Sequence, residues 1–269
     1  MILNQKINSK WERVSKFNKC PICDHDSWCG MNESGIICMR VPSEVTTKNG
    51  GWLHKLGEEF PKYIPKPKEP EIKLDCVSMW KAWHKETSLQ DLRDYAQTID
   101  VDPLSLAYLG CVKAPEHSAF ACPMRNHKGD IIGFRLRNKY GDKWSVKGSK
   151  QGLFYSRKVL TGTVFIVEGP TDCAAALTIG VSVIGRPSCL GCEEMIADML
   201  KYFKIRQAVL VPDNDEPGLR GADRLQPFLK INHCKIILPT KDMREFYQFG
   251  GNKETLESLT RNTIWEKVN

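Results

Sequence analysis

Apolar runs in the second half of this chain alternate with amphipathic stretches, and two of the runs end on carboxylates. Val164–Val167 runs into Glu168, a Gly-Pro turn and Asp172; Ala208–Val211 runs into Asp213, Asp215 and Glu216. From Val164 onward the pattern predicts strands at VFIVE, VSVIG, AVLVP and CKIILP, with helices from about Thr171, Glu193, Gly218 and Met243. That is the rhythm of a parallel sheet covered by helices. Upstream, strict alternation in IIGFRLRN, a KYGD turn and KWSVKG predict a β-meander over Phe120–Tyr155. Two short helices precede it. Ser88 with Asp91 starts one, and Asp102, Pro103 and Gly110 bound the other.

The first stretch, 14–58, is rich in Cys, Gly and Ser and has no helical period, so it needs a staple. The stretch 60–74 interleaves Pro61, Pro65, Pro67 and Pro70 with lysines and glutamates, the composition of an extended tether. The expected layout is a stapled segment at 14–58, a linker at 60–74, a basic α+β subdomain at 75–158, an α/β domain at 159–250 and a helical tail at 251–269.

The chain has 269 residues, 11 cysteines and a formal net charge of +7. No run approaches the roughly 18–20 apolar residues of a membrane span and no export signal opens it, so a cytoplasmic protein with reduced thiols is expected. The positive charge suits a polyanionic partner. Cys20, Cys23, Cys29 and Cys38 give a C-x-x-C knuckle and a second pair, a donor set for a structural zinc ion. A redox pair, or His25 replacing one cysteine, are the alternatives. Cys189 and Cys192 form a lone C-x-x-C expected to be ordinary thiols, and Cys111, Cys122 and Cys173 are expected to pack as small hydrophobes.

Loops at the carboxyl ends of parallel strands line one edge, where ligands bind. Glu168, Asp213 and Asp215 fall there, with Asp172 one turn into a helix. Carboxylates at close range repel unless a cation sits among them, and hard oxygen donors suit Mg²⁺ or Mn²⁺. Asp215 shares a face with Asp213. Lys241, Asp242 and Arg186 fall at the same edge. Lys241 could meet a triphosphate, Asp242 is a weaker metal ligand or a helix cap, and Arg186 could clamp a phosphate with two donors.

EGPTD after one strand, DNDEPG after a later one and KDMREF after a fourth resemble the TOPRIM domain of bacterial-type primases, type IA and II topoisomerases, OLD-type nucleases and recombination mediators. The cysteine segment, tether, KGSKQGLFY and TOPRIM order are similar to bacterial and phage primases, and to zinc-ribbon and TOPRIM proteins of mobile elements. This chain departs from the housekeeping primases in having four cysteines where they use three and a histidine, and in being shorter.

The resemblance implies a Rossmann-like parallel sheet behind a mixed α+β subdomain and an N-terminal zinc ribbon. It implies Glu168 as general acid or base and Asp213 with Asp215 as a metal-binding pair. The implied activity is primer synthesis from ribonucleoside triphosphates on single-stranded DNA, with a replicative helicase acting in trans. A TOPRIM nuclease and a silent single-strand-binding adaptor are the rival readings.

The strand period sends Arg135 and Arg137 to one face and Phe134 and Leu136 to the other. Lys143 and Lys147 alternate with Trp144 and Val146, and Lys150 follows. Paired across the turn, these residues make a basic stripe for a single-stranded backbone.

Overall fold

The computed structural model describes residues 11–48, 50–55, 73–156 and 160–267. The chain divides into two compact units, Met1–Pro70 and Glu71–Asn269. The linker expected at 60–74 lies outside the described residues except at its last two positions.

The first unit is an antiparallel sheet of β1 (Glu12–Arg13), β2 (Gly30–Asn32), β3 (Gly35–Cys38), β4 (Val45–Thr46) and β5 (Trp52–Lys55), in the order β1-β2-β3-β5-β4. Its buried apolar set is small, Val14, Ile22, Ile36 and Val41 around the four cysteines. A core this thin is far below what holds a domain of ordinary size, so a metal staple is needed.

The second unit opens with three helices, α1 (Cys76–Glu86), α2 (Leu89–Ile99) and α3 (Pro103–Leu109). Ser88 and Asp91 form the expected capping box on α2, and Asp102 caps α3, which stops at a left-handed Gly110. The first of the three was not anticipated. Cys76, Met79, Trp80 and Trp83 give it an apolar stripe at helical spacing, Asp75 caps it, and the stripe packs on Val112, Phe134 and Leu136.

The meander follows as β6 (Val112–Ala114), β7 (Ala119–Arg125), β8 (Ile131–Asn138) and β9 (Lys143–Ser145), antiparallel in chain order. The β7–β8 and β8–β9 turns repeat one motif, Asn-x-x-Gly-Asp. In each, the asparagine Oδ1 accepts two backbone N–H bonds while its Nδ2 donates to the aspartate, Asn126 to Asp130 at 2.9 Å and Asn138 to Asp142 at 2.8 Å.

Then come β10 (Thr163–Glu168), α4 (Gly169–Ile179), β11 (Ser182–Arg186), α5 (Glu193–Tyr202), β12 (Gln207–Leu210), α6 (Glu216–Leu225), β13 (Asn232–Lys235), α7 (Met243–Gln248) and α8 (Lys253–Arg261). The strands form a parallel sheet in the order β11-β10-β12-β13. Helices α4 and α6 begin two residues earlier than the sequence suggests, because Pro170 and Pro217 suit a first turn. The last strand begins at Asn232 and stops at Lys235 instead of running to the end of CKIILP, and α8 lies within the stretch expected as a helical tail.

Residues Leu153 and Phe154 tie the two sheets together. Leu153 exchanges main-chain bonds with Arg125 on β7, and Phe154 does so with Gly185 on β11. The boundary expected near 158 therefore does not separate two compact bodies: Cys122, Met124 and Phe154 share one buried core with Phe165, Val167 and Cys173. Cys111 and Cys122, expected as packed thiols, are joined in a disulfide, since adjacent antiparallel strands bring their backbones together. Cys173 is a buried free thiol.

Candidate active site

Strand β10 lies between β11 and β12, so Glu168 at its end and Asp213, just beyond β12, face the same edge. Gly169, at φ +78°, turns the chain directly after Glu168, and Pro170 starts α4, which carries Asp172 in its first turn. Asp172 is buried and accepts the Arg244 backbone N–H at 3.1 Å, tying α4 to α7. Asp215 caps α6 through the Gly218 N–H at 2.8 Å. Gly218 lies so close to the Asp213 carbonyl that a Cβ would collide with it, and this fixes the turn carrying both aspartates. Asn214 turns the other way, to the Leu238 and Lys241 carbonyls, which joins the loop after β12 to the loop after β13. Asp242 caps α7 through the Glu245 N–H at 2.7 Å.

The electrostatics are those of carboxyls crowded together. Burial, then Asp213, push Glu168 up to about 7, against the pull of Arg186. Burial, Asp242 and Asp213 raise Asp172 to about 7. Burial, Asp242 and Asp215 raise Asp213 to about 6, against Lys241 and Lys143. One buried oxygen of Glu168, Oε1, has no hydrogen-bond partner among the described residues. An orphaned carboxylate oxygen among acids resisting ionisation fits a hard divalent cation, which would supply the missing positive charge. Glu168, Asp213 and Asp215, the ligands expected from the sequence, all stand at or just beyond strand ends on this edge. Their oxygens do not approach one another as closely as the cysteine sulfurs do.

Opposite the acids stands the basic face of the meander. Arg137 pairs in register with Lys143, Arg135 with Ser145 and Leu136 with Trp144 over the apolar underside, so of the expected stripe Arg137 and Lys143 stand side by side. The surrounding protein, then Arg137, hold the Lys143 amine below its ordinary range, and Asp172 and Asp213 pull it up, so this amine senses the acid edge. Arg135 is partly spent, its Nη2 donating to the Pro187 carbonyl at 2.6 Å. Lys147 and Lys150 are exposed in the turn after β9, not on the strand.

Arg186 does not present the expected two-donor clamp. It is buried, its Nη1 donates to Gly221 O at 3.2 Å and its Nη2 to Gly191 O at 3.3 Å, with Glu193 beyond. It stands level with Glu168 on the next strand and braces the β11–α5 loop against α6. Arg244 was not singled out from the sequence. Its backbone grips Asp172 and its buried Nε has no partner among the described residues. The only signal was its place in KDMREF.

In the first unit the sulfurs of Cys20, Cys23, Cys29 and Cys38 all lie within 4.8 Å of one another, and all four are buried. Burial raises Cys23, but the His25 backbone N–H and the neighbouring thiols outweigh it and lower that thiol to about 7. The Met39 and Val41 N–H groups point at the Cys29 and Cys38 sulfurs, at 3.4 and 3.3 Å, and Arg40 Nη1 lies 3.5 Å from Cys29. Backbone donors and a guanidinium around four sulfurs neutralise a thiolate cluster, so the set fits a tetrahedral metal. His25 is turned away, its Nδ1 on the Cys23 carbonyl at 2.7 Å.

A parallel sheet with an acid edge, locked to an antiparallel basic sheet, is the fold of TOPRIM-type primase cores, and the four-cysteine unit is a zinc-ribbon arrangement. The solved structures it resembles are DnaG-type catalytic cores. One DnaG catalytic core matches with a TM-score of 0.57 and 14% identity over 71% of this chain and 80% of that one. The Aquifex aeolicus primase, with its zinc-binding and RNA polymerase domains, matches at 0.58 and 16%, over 71% of this chain and 60% of that one. A DnaG primase catalytic domain bound to single-stranded DNA matches at 0.57 and 13%, over 71% and 78%. No family model and no curated protein matches the sequence. No helix among the described residues is long and apolar enough to cross a membrane.

Proposed function

We propose that this protein is a DNA primase that joins ribonucleotides on a single-stranded DNA template. The observation that carries the reading is the acid edge of Glu168, Asp213 and Asp215 facing the Arg137–Lys143 stripe within one primase-type fold. Acids alone would hold a cation, and cations alone would hold a polyanion. Together they suit chemistry on phosphates.

Asp213 and Asp215, with Glu168 beside them, would hold Mg²⁺ or Mn²⁺. When bound, the metal neutralises charge on the reacting phosphates and the leaving pyrophosphate. The protein's own part is positioning and proton transfer. Glu168, which titrates near neutrality, accepts the proton of the primer 3′ hydroxyl as its oxygen attacks the α-phosphorus, and pyrophosphate departs. Arg137, Lys143, Lys147 and Lys150 hold the template backbone, and Lys241 reaches the triphosphate. Zinc at the four cysteines folds the first unit, which engages the template, and a helicase in trans supplies the single strand.

The test is incorporation of labelled ribonucleotides on single-stranded DNA with Mg²⁺ or Mn²⁺, beside Glu168→Gln and Asp213→Asn. Template-dependent short products lost in both variants are expected. DNA degradation without nucleotides would replace the primase reading with a nuclease, and intact DNA binding with neither activity would replace it with an adaptor.

A further inference from the structure

Beside the basic stripe, and lined by none of the edge carboxylates, the second unit holds a cavity of about 730 Å³ between α2, the β6–β7 connection and the β8–β9 turn. This lies within the size range of small-ligand sites. Its walls combine flat rings with cations. Phe120 stacks on Tyr95 with ring centres 4.2 Å apart and planes 3° from parallel, and both line the cavity. Tyr140, 79% exposed, stands on the second Asn-x-x-Gly-Asp turn, where Asn138 Oδ1 accepts its N–H at 3.0 Å, so the turn is braced. Lys139 lies over the Tyr140 ring, 5.1 Å from its centre.

Arg137 faces the same space, in register with Phe120, and its buried Nη1 has no hydrogen-bond partner among the described residues. A buried guanidinium N–H without an acceptor is costly, and a ligand oxygen would remove that cost. Of the other charged residues lining it, Lys113 is paired with Asp91 at 2.7 Å, and Asp94 is the acid facing Arg137 and Lys139. Positive charge and exposed π-faces together select a ligand with an anionic group and an aromatic ring.

We propose that this cavity is a nucleotide-binding site that uses none of the edge carboxylates, holding a nucleobase against Phe120 and Tyr140 and its phosphate on Arg137 and Lys139. The nucleotide can be free in solution or an unpaired residue of a bound strand. The inference does not depend on primer synthesis, because a nuclease or an adaptor with this cavity would hold the same ligand.

The test uses the full chain, zinc-loaded, in magnesium-free buffer, so that metal-dependent binding at the acid edge does not contribute. Binding of the four ribonucleoside monophosphates is measured by calorimetry, and of a short fluorescent oligodeoxythymidylate by anisotropy. Tyr140→Ala and Arg137→Met are compared with wild type, and their folding is checked by circular dichroism. Saturable binding is expected, weakened roughly 5- to 100-fold by Tyr140→Ala, the range for loss of one base stack, and weakened also by Arg137→Met. A deficit with monophosphates assigns the site to free nucleotide, and a deficit with the oligonucleotide alone assigns it to a strand residue. Glu168→Gln should bind like wild type even if the protein makes no primer. Absence of saturable binding of either ligand, or wild-type affinity in folded Tyr140→Ala, overturns the proposal.

Discussion

Replacing Glu168 by glutamine should make this protein more stable while abolishing its activity. The carboxyl is raised from its ordinary 4.5 to about 7, chiefly by burial and then by Asp213. Its folded state therefore binds a proton more tightly than its unfolded state does. Below pH 4.5 both states are protonated and nothing is lost. Between 4.5 and 7 stability falls as pH rises, and above 7 the deficit is constant. At about 1.4 kcal/mol per pH unit the ceiling is roughly 3 kcal/mol, and coupling to Asp213 and Arg186 reduces it to about 1–3 kcal/mol. Glutamine keeps the shape and removes the charge. In a unit of this size that gain corresponds to a rise in Tm of roughly 2–12 °C. The assay is thermal unfolding of wild type and variant in magnesium-free buffer at pH 4, 6 and 8. The gain should be largest at pH 8, smaller at pH 6 and near zero at pH 4. A variant no more stable than wild type at pH 8, or equally stabilised at pH 4, would refute the reasoning that a crowded carboxylate with one orphaned oxygen sits at this edge.

Asp213→Asn should fold like wild type and lose nearly all primer synthesis; a collapse of its Tm would remove it from the metal-binding set. Because the carboxyls of Glu168 and Asp213 must lose protons to accept a cation, the Mg²⁺ concentration for half-maximal activity should rise as pH falls from 7 to 5.5, and a flat profile would contradict that. Cys38→Ser should reduce bound zinc, measured by metal analysis, and release the fold of the first unit alone. Phe134→Ala, which empties a fully buried ring site under α1, should destabilise the second unit by about 3–5 kcal/mol in urea.

The parallel sheet and its acid edge were legible because a strand buried on both faces reads as an unbroken apolar run, and carboxylates after such runs stand out. The Arg137–Lys143 pair was legible from the period of two and the β8–β9 register, whereas Lys147 falls beyond the strand. Helix α1 was equally readable, with Cys76, Met79, Trp80 and Trp83 at helical spacing, but it lies between the linker's end at 74 and the capping signal at Ser88 and went unassigned. Arg186 was misjudged for another reason. Sequence placed it at the correct edge but could not show that the Gly221 and Gly191 carbonyls would take its donors. Arg244 and the Cys111–Cys122 pairing depend on contacts across the fold that no local pattern encodes.

The five acids near this edge divide their work, and the division explains how the site tolerates them. Asp215 and Asp242 are helix caps, each fixed by a backbone N–H, and Asp172 is fixed by the Arg244 N–H. Those three are partly stabilised by bonds that the folded chain makes in any case. Asp172, though raised to about 7, is shut away by its burial, so the crowding within a ligand's reach falls on Glu168, with its orphaned oxygen, and on Asp213, raised to about 6. These two stand at or just beyond the ends of adjacent strands, where the sheet holds them still. A group that is rigid, crowded and near its titration point at neutral pH can exchange a proton for a metal ion with little rearrangement of the protein. The lysine and arginine face opposite lowers the cost of bringing a polyanion to that point without forming salt bridges that would occupy the two acids. The fold thus keeps crowded charge within reach at two positions and caps or buries the other three acids.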